Sequence, residues 1–326
     1  MLCTSNAGNS TKNRDMERNL WGVREERFTK VVKFFWRKEE RSMRGKRRSA
    51  LYVPGTNERA LAKIGSLPTD MIILDLEDSI APSRKAEARD RILDFGRDHV
   101  DRQREFILRL NAADTPFWRQ DLAILAGCSL RAVLLPKIRT AEDAGRQLRE
   151  IESVVPGCGV WFMMETPESV FNALSIAAVR RHHENVQGFV VGTNDLAKDA
   201  EIQPDRNRTY LVSWLMQIVL AAKAFELDVI DGVYNDIADA EGFRLEALQG
   251  RAMGMTGKSL IHPNQIVPTN DIYSPSRDEI DRARRIVDAF AGEDGDDRGV
   301  LTLDGKMVER LHLVQAEKVL ARAGEL

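Results

Sequence analysis

Eight short apolar runs recur between residues 49 and 262, and this rhythm limits what the chain can fold into more than any other feature. They are residues 49–55 (SALYVPG), 71–78 (MIILDLED), 105–111 (EFILRLN), 132–137 (AVLLPK), 160–166 (VWFMMET), 188–193 (GFVVGT), 228–233 (DVIDGV) and 258–262 (KSLIH). The runs are nearly continuous in Val, Ile, Leu, Phe and Met, as in parallel strands covered on both faces. Between them, segments such as 83–98, 140–155, 168–182 and 208–226 have the spacing and length of helices. Strands and helices alternating in this way predict an α/β protein, a (β/α)8 TIM barrel, rather than an open doubly wound sheet. No GxGxxG follows the first run, which argues against a dinucleotide-binding fold.

The pattern changes after residue 275. Pro275-Ser276 and Gly292 bracket a predicted helix over 276–291. A polar, turn-rich linker over 292–299, a small hairpin over 300–305 and a last helix over 307–323 follow. Residues 276–326 are too few for an independent domain and are expected to form a helical lid over a barrel mouth, their own or a neighbour's. Ahead of the barrel, Arg and Lys recur from Lys12 to Arg48, broken by Glu25, Glu26, Glu39 and Glu40. Residues 1–46 therefore read as a basic, disordered extension, with Met43 a natural alternative start. An RNA- or membrane-binding arm is the functional alternative. The catalytic barrel is expected to occupy residues 47–275.

The 326 residues carry a net charge of −2, which argues against a protein whose main partner is nucleic acid. Cys3, Cys128 and Cys158 form no CxxC pair, so a reducing, cytoplasmic setting is expected. No apolar run reaches the roughly 18–20 residues that cross a bilayer, and no membrane association is expected.

Barrel chemistry gathers where strands end, and buried polar groups there cost stability unless satisfied. The second run ends in Asp75, Glu77 and Asp78; the third carries Arg109 and Asn111; the fourth, Lys137; the fifth, Glu165. The sixth leads into Asn194 and Asp195, and the eighth carries His262. Several carboxylates beside one Arg and one Lys suit a hard cation such as Mg²⁺, which takes oxygen ligands and keeps water and substrate in its shell. No Cys/His cluster suggests zinc. Arg109 offers a planar fork for a carboxylate. A rim of buried salt bridges is the competing reading of the same charges.

Eight motifs in order then resemble one family. They are residues 48–55 (RSALYVPG), 74–79 (LDLEDS), 109–111 (RLN) with Thr115-Pro116, 135–137 (LPK), 164–166 (MET), 192–196 (GTNDL), 257–263 (GKSLIHP) and 304–308 (DGKMV). Together they resemble the HpcH/HpaI aldolase and citrate lyase superfamily, in its CoA-ester lyase branch. The resemblance implies that Glu165 and Asp195 are Mg²⁺ ligands, with Mn²⁺ as a substitute. It implies that Arg109 contacts substrate and stabilises negative charge, that Glu77 and Asp78 lie near the metal's water, and, more weakly, that Arg48 and the loop after His262 receive the CoA portion. The implied reaction is cleavage of a β-hydroxyacyl-CoA, such as malyl-CoA or citramalyl-CoA, to acetyl-CoA and a 2-keto acid. A homotrimer or hexamer is expected. Alternatives are the β subunit of a citrate lyase complex, working with α and acyl-carrier subunits; a malyl-CoA thioesterase or malate-synthase-like activity; and a non-catalytic binding barrel.

Lys137 is read as a charged site residue, not a Schiff-base lysine. His182 and His183 read as a solvated helix end, His312 has no assigned role, and Met163 and Met164 read as core. One departure stands out: where the family commonly has an aspartate in its C-terminal lid, serving in proton transfer, this chain has Glu309, followed by Leu311 where a proline is usual. Glutamate keeps the carboxylate and lengthens its reach, and reach comes before pKa in acid–base work.

Overall fold

The computed structural model describes residues 46–98, 104–291 and 299–325. The basic extension up to Gly45, Met43 within it, and linker residues 292–298 lie outside the described residues. Eight parallel strands close in sequence order into a barrel. They are β1 (Ser49–Pro54), β2 (Met71–Asp75), β3 (Glu105–Arg109), β4 (Ala132–Leu135), β5 (Gly159–Met164), β6 (Val186–Val191), β7 (Asp228–Asp231) and β8 (Gly257–Leu260). Closure comes from β1 pairing with β8, Ser49 opposite Lys258.

The helices are α1 (Glu58–Lys63), α2 (Lys85–Asp98), α3 (Trp118–Gly127), α4 (Ala141–Val154), α5 (Pro167–Phe171), α6 (Ala173–Ala178), α7 (Thr193–Asp199), α8 (Val212–Ala224), α9 (Ala240–Ala252), α10 (Ile266–Tyr273), α11 (Arg277–Ala291) and α12 (Arg310–Ala323). The helix expected over 168–182 is broken into α5, α6 and a 3-10 turn over Val179–Arg181. The break falls at Asn172, whose backbone (φ −93°, ψ 7°) leaves the helical region.

Alternation along the strands splits the apolar residues into two shells. Inward positions, including Ala50, Met71, Ile73, Ile107, Leu134, Trp161, Met163, Val190 and Ile230, fill the barrel. Outward positions pack beneath the helices: Leu51, Ile72, Leu108, Leu135, Phe162 and Met164 belong to this larger core. Met163 and Met164 are thus both core, Met163 inside the barrel and Met164 beneath the helices.

The C-terminal segment builds a separate small core from Ala283, Ile286, Phe290, Val308, Ala316 and Leu320. Its hairpin pairs β9 (Val300–Leu303) with β10 (Lys306–Glu309), so residues 307–309 are strand rather than the start of the last helix. Those three residues satisfy their backbone by pairing across the hairpin before α12 begins. The Arg251–Glu279 ion pair (2.6 Å) ties α11 back to α9. Among the described residues no helix is long and apolar enough to cross a membrane.

Candidate active site at the barrel mouth

The sequence expected strands two and three residues longer than those that pair, and the overhang is where the charges sit. Beyond Asp75 the chain leaves the ladder but stays buried through Leu76 and Glu77 before emerging at Asp78. Lys85, in the first turn of α2, fixes this bend by donating to the carbonyls of Leu76 (2.7 Å) and Glu77 (2.7 Å).

Arg109 ends β3 opposite Asp75. Its Nε and Nη2 donate to the two Asp75 oxygens (2.6 and 2.7 Å). The fork that the sequence offered to a substrate carboxylate is therefore taken inside the fold. The remaining edge faces outward chemistry: Nη1 lies 2.9 Å from Glu77 Oε2 and donates to Met163 Sδ at 3.6 Å. The Tyr52 ring lies 4.9 Å from the guanidinium carbon. Burial pushes Asp75 upward, but Arg109 overcomes it and holds the carboxyl below the usual range. Glu77 comes out the other way. Burial dominates, the neighbouring acids reinforce it, and Arg109 only partly offsets it, so its pKa is pushed up to about 8.

Glu165 follows β5 and is held from both sides. Thr166 caps α5, accepting from the Ser169 N–H (3.1 Å). Gly192, after β6, leaves the room: a Cβ there would lie 2.5 Å from Glu165 Cβ and 2.9 Å from its Oε2. One Glu165 oxygen accepts from the Lys137 N–H (2.7 Å). That contact needs Lys137 in the left-handed region, φ 54°, a conformation that costs a non-glycine residue about 1 kcal/mol. The Lys137 ammonium lies between Glu165 Oε1 (3.5 Å) and Asp195 Oδ2 (3.1 Å), and Lys198 holds the other Asp195 oxygen (2.9 Å). Burial pushes Glu165 up to about 7 despite Lys137. Asp195, less buried, is held below its ordinary value by its two lysines. Lys137 is itself raised: burial lowers it, but Glu165 and Asp195 outweigh that. It stays an ammonium, which opposes the Schiff-base alternative.

Two buried carboxylate oxygens, Glu77 Oε2 and Glu165 Oε2, have no hydrogen-bond partner. Glu77 Oε2 is near Arg109 in charge but poorly aligned for a hydrogen bond. Glu165 Oε2 is a buried, unpartnered carboxyl oxygen whose sister oxygen lies 3.5 Å from the Lys137 ammonium. Among the described residues no three His, Cys, Asp or Glu side chains converge as a metal cage. Two carboxylates with water and substrate completing the shell is what Mg²⁺ uses, so the donor set fits that ion and not zinc.

Arg109, Glu77, Glu165 and Asp195 thus come together, while four other expected site residues stand apart. Arg48 precedes β1, at the opposite end of the barrel, where it forms a bidentate pair with Asp70 (Nε 2.8, Nη2 2.8 Å) and reaches Ser274 (2.8 Å). That position removes it from the mouth. Asp78 is exposed, unlike its neighbour Glu77. His262 follows β8 and its Nδ1 accepts from the Asn264 N–H (3.2 Å), capping the next turn. Glu309 ends β10, its N–H donating to His312 Nδ1 (2.9 Å); no hydrogen bond or ion pair joins it to the carboxylate cluster among the described residues. Tyr52, Lys85 and Gly192 were not singled out from sequence. Only Lys85 left a usable sign, a basic residue that opens the helix following a carboxylate-rich strand end.

Residues 48–263 match the HpcH/HpaI aldolase/citrate lyase family. A (3S)-malyl-CoA thioesterase of Cereibacter sphaeroides is 43% identical over 277 residues, covering 85% of this chain and 94% of that protein. Citrate lyase subunit beta of Escherichia coli is 32% identical over 284 residues, covering 85% and 93%. The solved structure of CitE from Mycobacterium tuberculosis in complex with magnesium, acetoacetate and coenzyme A is similar at a TM-score of 0.71 and 31% identity, covering 86% of this chain and all of that one.

Proposed function

Because the chain belongs to the HpcH/HpaI aldolase/citrate lyase family, we propose that its barrel mouth binds Mg²⁺ through Glu165 and Asp195 and acts on a malyl-CoA-type thioester. The orphaned Glu165 Oε2 carries this reading: a buried anionic oxygen without a partner is costly unless a cation completes it. The magnesium in the related CitE structure supports it. When bound, the ion supplies Lewis-acid polarisation of the substrate's oxygens.

The reaction that this geometry favours is carbon–carbon cleavage. The β-hydroxyl gives up its proton, the C2–C3 bond breaks, its electrons form the thioester enolate, and a 2-keto acid or glyoxylate leaves. The enolate then takes a proton to become acetyl-CoA. Arg109, oriented by Asp75, and the Lys137 ammonium place fixed positive charge where negative charge develops. Glu77, protonated in part near neutrality, is a proton carrier within the cluster. Glu309 is the proposed lid carboxylate, delivered from this or a neighbouring copy. The exposed apolar side chains of the hairpin and α12, Val300, Met307, Leu311 and Val314, support self-association; the homotrimer or hexamer is the proposed state, which light scattering would test.

Thioester hydrolysis is the second reading, favoured by the 43% identity to a thioesterase. One assay separates the two. The protein is incubated with Mg²⁺ and (3S)-malyl-CoA while trapped keto acid and free CoA thiol are followed together. Cleavage gives glyoxylate and acetyl-CoA; hydrolysis gives free thiol without glyoxylate. Neither product, or turnover undiminished by chelator, would reject the reading. The citrate lyase β relatives raise the further proposal of α and acyl-carrier partners, checked by copurification.

A further inference from the structure

The two carboxylates of the site are held in unlike ways. Glu165 is buried, and the Lys137 N–H and the close approach of Gly192 fix it directly. Asp195 sits in the first turn of α7, a helix of seven residues, too short to be stable by itself in water. Among the described residues its oxygens meet only the ammonium groups of Lys137 (3.1 Å) and Lys198 (2.9 Å), and the Lys198 side chain is 69% exposed. Where this carboxylate points therefore depends on what holds the start of α7. The N-cap there is Gly192, and Glu165 leaves no room for a Cβ on it. The helix thus begins without a side-chain cap for its first N–H groups.

The loop after β7 supplies a hold from outside. Asn194 and Asn235 exchange amide hydrogen bonds: Asn194 Nδ2 donates to Asn235 Oδ1 (3.1 Å), and Asn235 Nδ2 donates to Asn194 Oδ1 (2.8 Å). The Gly232 backbone lies against Thr193, so closely that a Cβ on Gly232 would come within 2.8 Å of Thr193 Cγ2. This loop is anchored in a buried charged cluster between β7, β8 and α9. The Lys258 ammonium donates to the Gly232 carbonyl (2.5 Å) and to Glu246 (2.7 Å), while the Gly232 N–H donates to Asp231 Oδ1 (2.8 Å). Arg208 Nη1 donates to the same Asp231 oxygen (2.7 Å). Lys258, Asp231 and Arg208 are all buried. Arg208 takes part from a left-handed backbone, φ 55°, a conformation that persists only where its surroundings enforce it. Further along, Gln265 Nε2 donates to the Tyr234 carbonyl (3.1 Å), and the Tyr234 hydroxyl donates to Asp239 (2.7 Å). Asn235 is thus an exposed side chain on a backbone pinned on either side.

We propose that Asn235 is a positioning residue: through Asn194 it fixes the start of α7, and so the direction in which the Asp195 carboxylate faces the mouth. This rests on the reading of Asp195 as a metal ligand. Neutral hydrogen bonds open to water contribute little to folding, whereas Mg²⁺ demands near-ideal octahedral geometry from its ligands. The consequence of the amide pair is therefore read in metal affinity and not in stability. The buried cluster keeps the loop rigid, and the amide pair passes that rigidity to α7.

The test compares Asn235→Ala, Asn194→Ala and the double variant with wild type at pH 8, by calorimetric titration of Mg²⁺, urea melts and hydrogen exchange of the α7 amides. Each single variant is expected to bind Mg²⁺ about fivefold more weakly, the worth of one lost neutral hydrogen bond. The double variant is expected to bind no more weakly than either single one, because both act through the same pair. The urea midpoint is expected to stay at the wild-type value, which a merely structural role would lower. Unchanged Mg²⁺ affinity in the single variants, additive losses in the double variant, or a lowered midpoint overturns the proposal. If wild type binds no Mg²⁺, the metal reading fails, and hydrogen exchange alone then decides the hold on α7. The N–H groups of Leu196 and Ala200, bonded to the carbonyls of Gly192 and Leu196, exchange several-fold faster in Asn235→Ala if the pair braces the helix, and at the wild-type rate if it does not.

Discussion

At the N-terminal end of the barrel Arg47 lies among Glu105, Asp228 and Gln187; at the C-terminal end Arg109 lies between Asp75 and Glu77. Both arginines are buried and both face two acids. Arg47 is saturated: its Nε and Nη2 hold Glu105 (2.7 and 3.0 Å), Nη1 holds Asp228 (2.8 Å), Nη2 also meets Gln187, and the guanidinium covers the Trp161 ring at 4.8 Å. Its acids are finished as well. Trp161 Nε1 reaches Glu105 (3.2 Å) and Thr256 reaches Asp228 (3.1 Å). Burial alone would raise Asp228, yet Arg47 holds it below its usual range. At the mouth the same ingredients leave two carboxylate oxygens unpartnered and push Glu77 and Glu165 to about 8 and about 7. One end has its charges neutralised for stability. The other keeps carboxyls that no fixed cation satisfies and that hold protons near neutrality, which is what an incoming cation and a reacting substrate would use.

The largest expected effect falls on the finished end. Arg47→Met strands Glu105 and Asp228 without their counter-charge and should cost about 3–5 kcal/mol of unfolding free energy, while Mg²⁺ affinity of the remaining folded protein stays at the wild-type value. Denaturant melts alongside metal titration read both quantities; a loss of metal affinity would mean that the two ends are not independent. Next comes Gly192→Ala. The added methyl collides with Glu165, so about 1–3 kcal/mol of stability should be lost together with Mg²⁺ affinity. A variant with wild-type metal binding would show that Glu165 is not held where the fold requires it.

The Glu77 prediction turns on pH. A carboxyl whose folded pKa is raised favours folding at low pH, and that contribution is lost as pH rises from its ordinary value of 4.5 to about 8. In this interval the folded state binds more protons than the unfolded one, so stability falls with pH. Glu77→Gln should flatten that slope and be the more stable protein at pH 8. Parallel slopes in urea melts at pH 5, 6.5 and 8 would refute the assignment. The smallest effect is Lys198→Met. Its pair with Asp195 is solvent-exposed, so no more than about 1 kcal/mol is expected, with Asp195 less well held and metal binding only slightly changed.

The fold was legible because every barrel strand is buried on both faces and announces itself as an apolar run. The runs overshot at their C-terminal ends because Leu76 and Leu110 remain buried after the ladder has stopped. Residues 307–309 and Asn172 were misread for a different reason: hairpin pairing and a single non-helical backbone angle leave little trace in periodicity. At the site, Glu165, Asp195, Glu77 and Arg109 were readable as polar residues at strand ends. Tyr52 was not, since an aromatic inside a strand looks like core until Arg109 is seen beside it. Arg48 was misplaced because the motif it opens spans β1, whose first residue faces the far end of the barrel. That Asp75 occupies the Arg109 fork could not be read from either residue alone, because it depends on the register between β2 and β3.

The unsatisfied carboxyls at the mouth are tested most directly by calorimetric titration of Mg²⁺ into the wild-type protein and into Glu165→Gln at pH 6 and pH 8. Wild type should bind, more tightly at pH 8 because Glu165 must shed its proton to serve as a ligand, and Glu165→Gln should bind at least tenfold more weakly at pH 8. Equal affinity in the two proteins, or binding in wild type that does not strengthen with pH, would contradict the assignment of Glu165 as the cation's ligand.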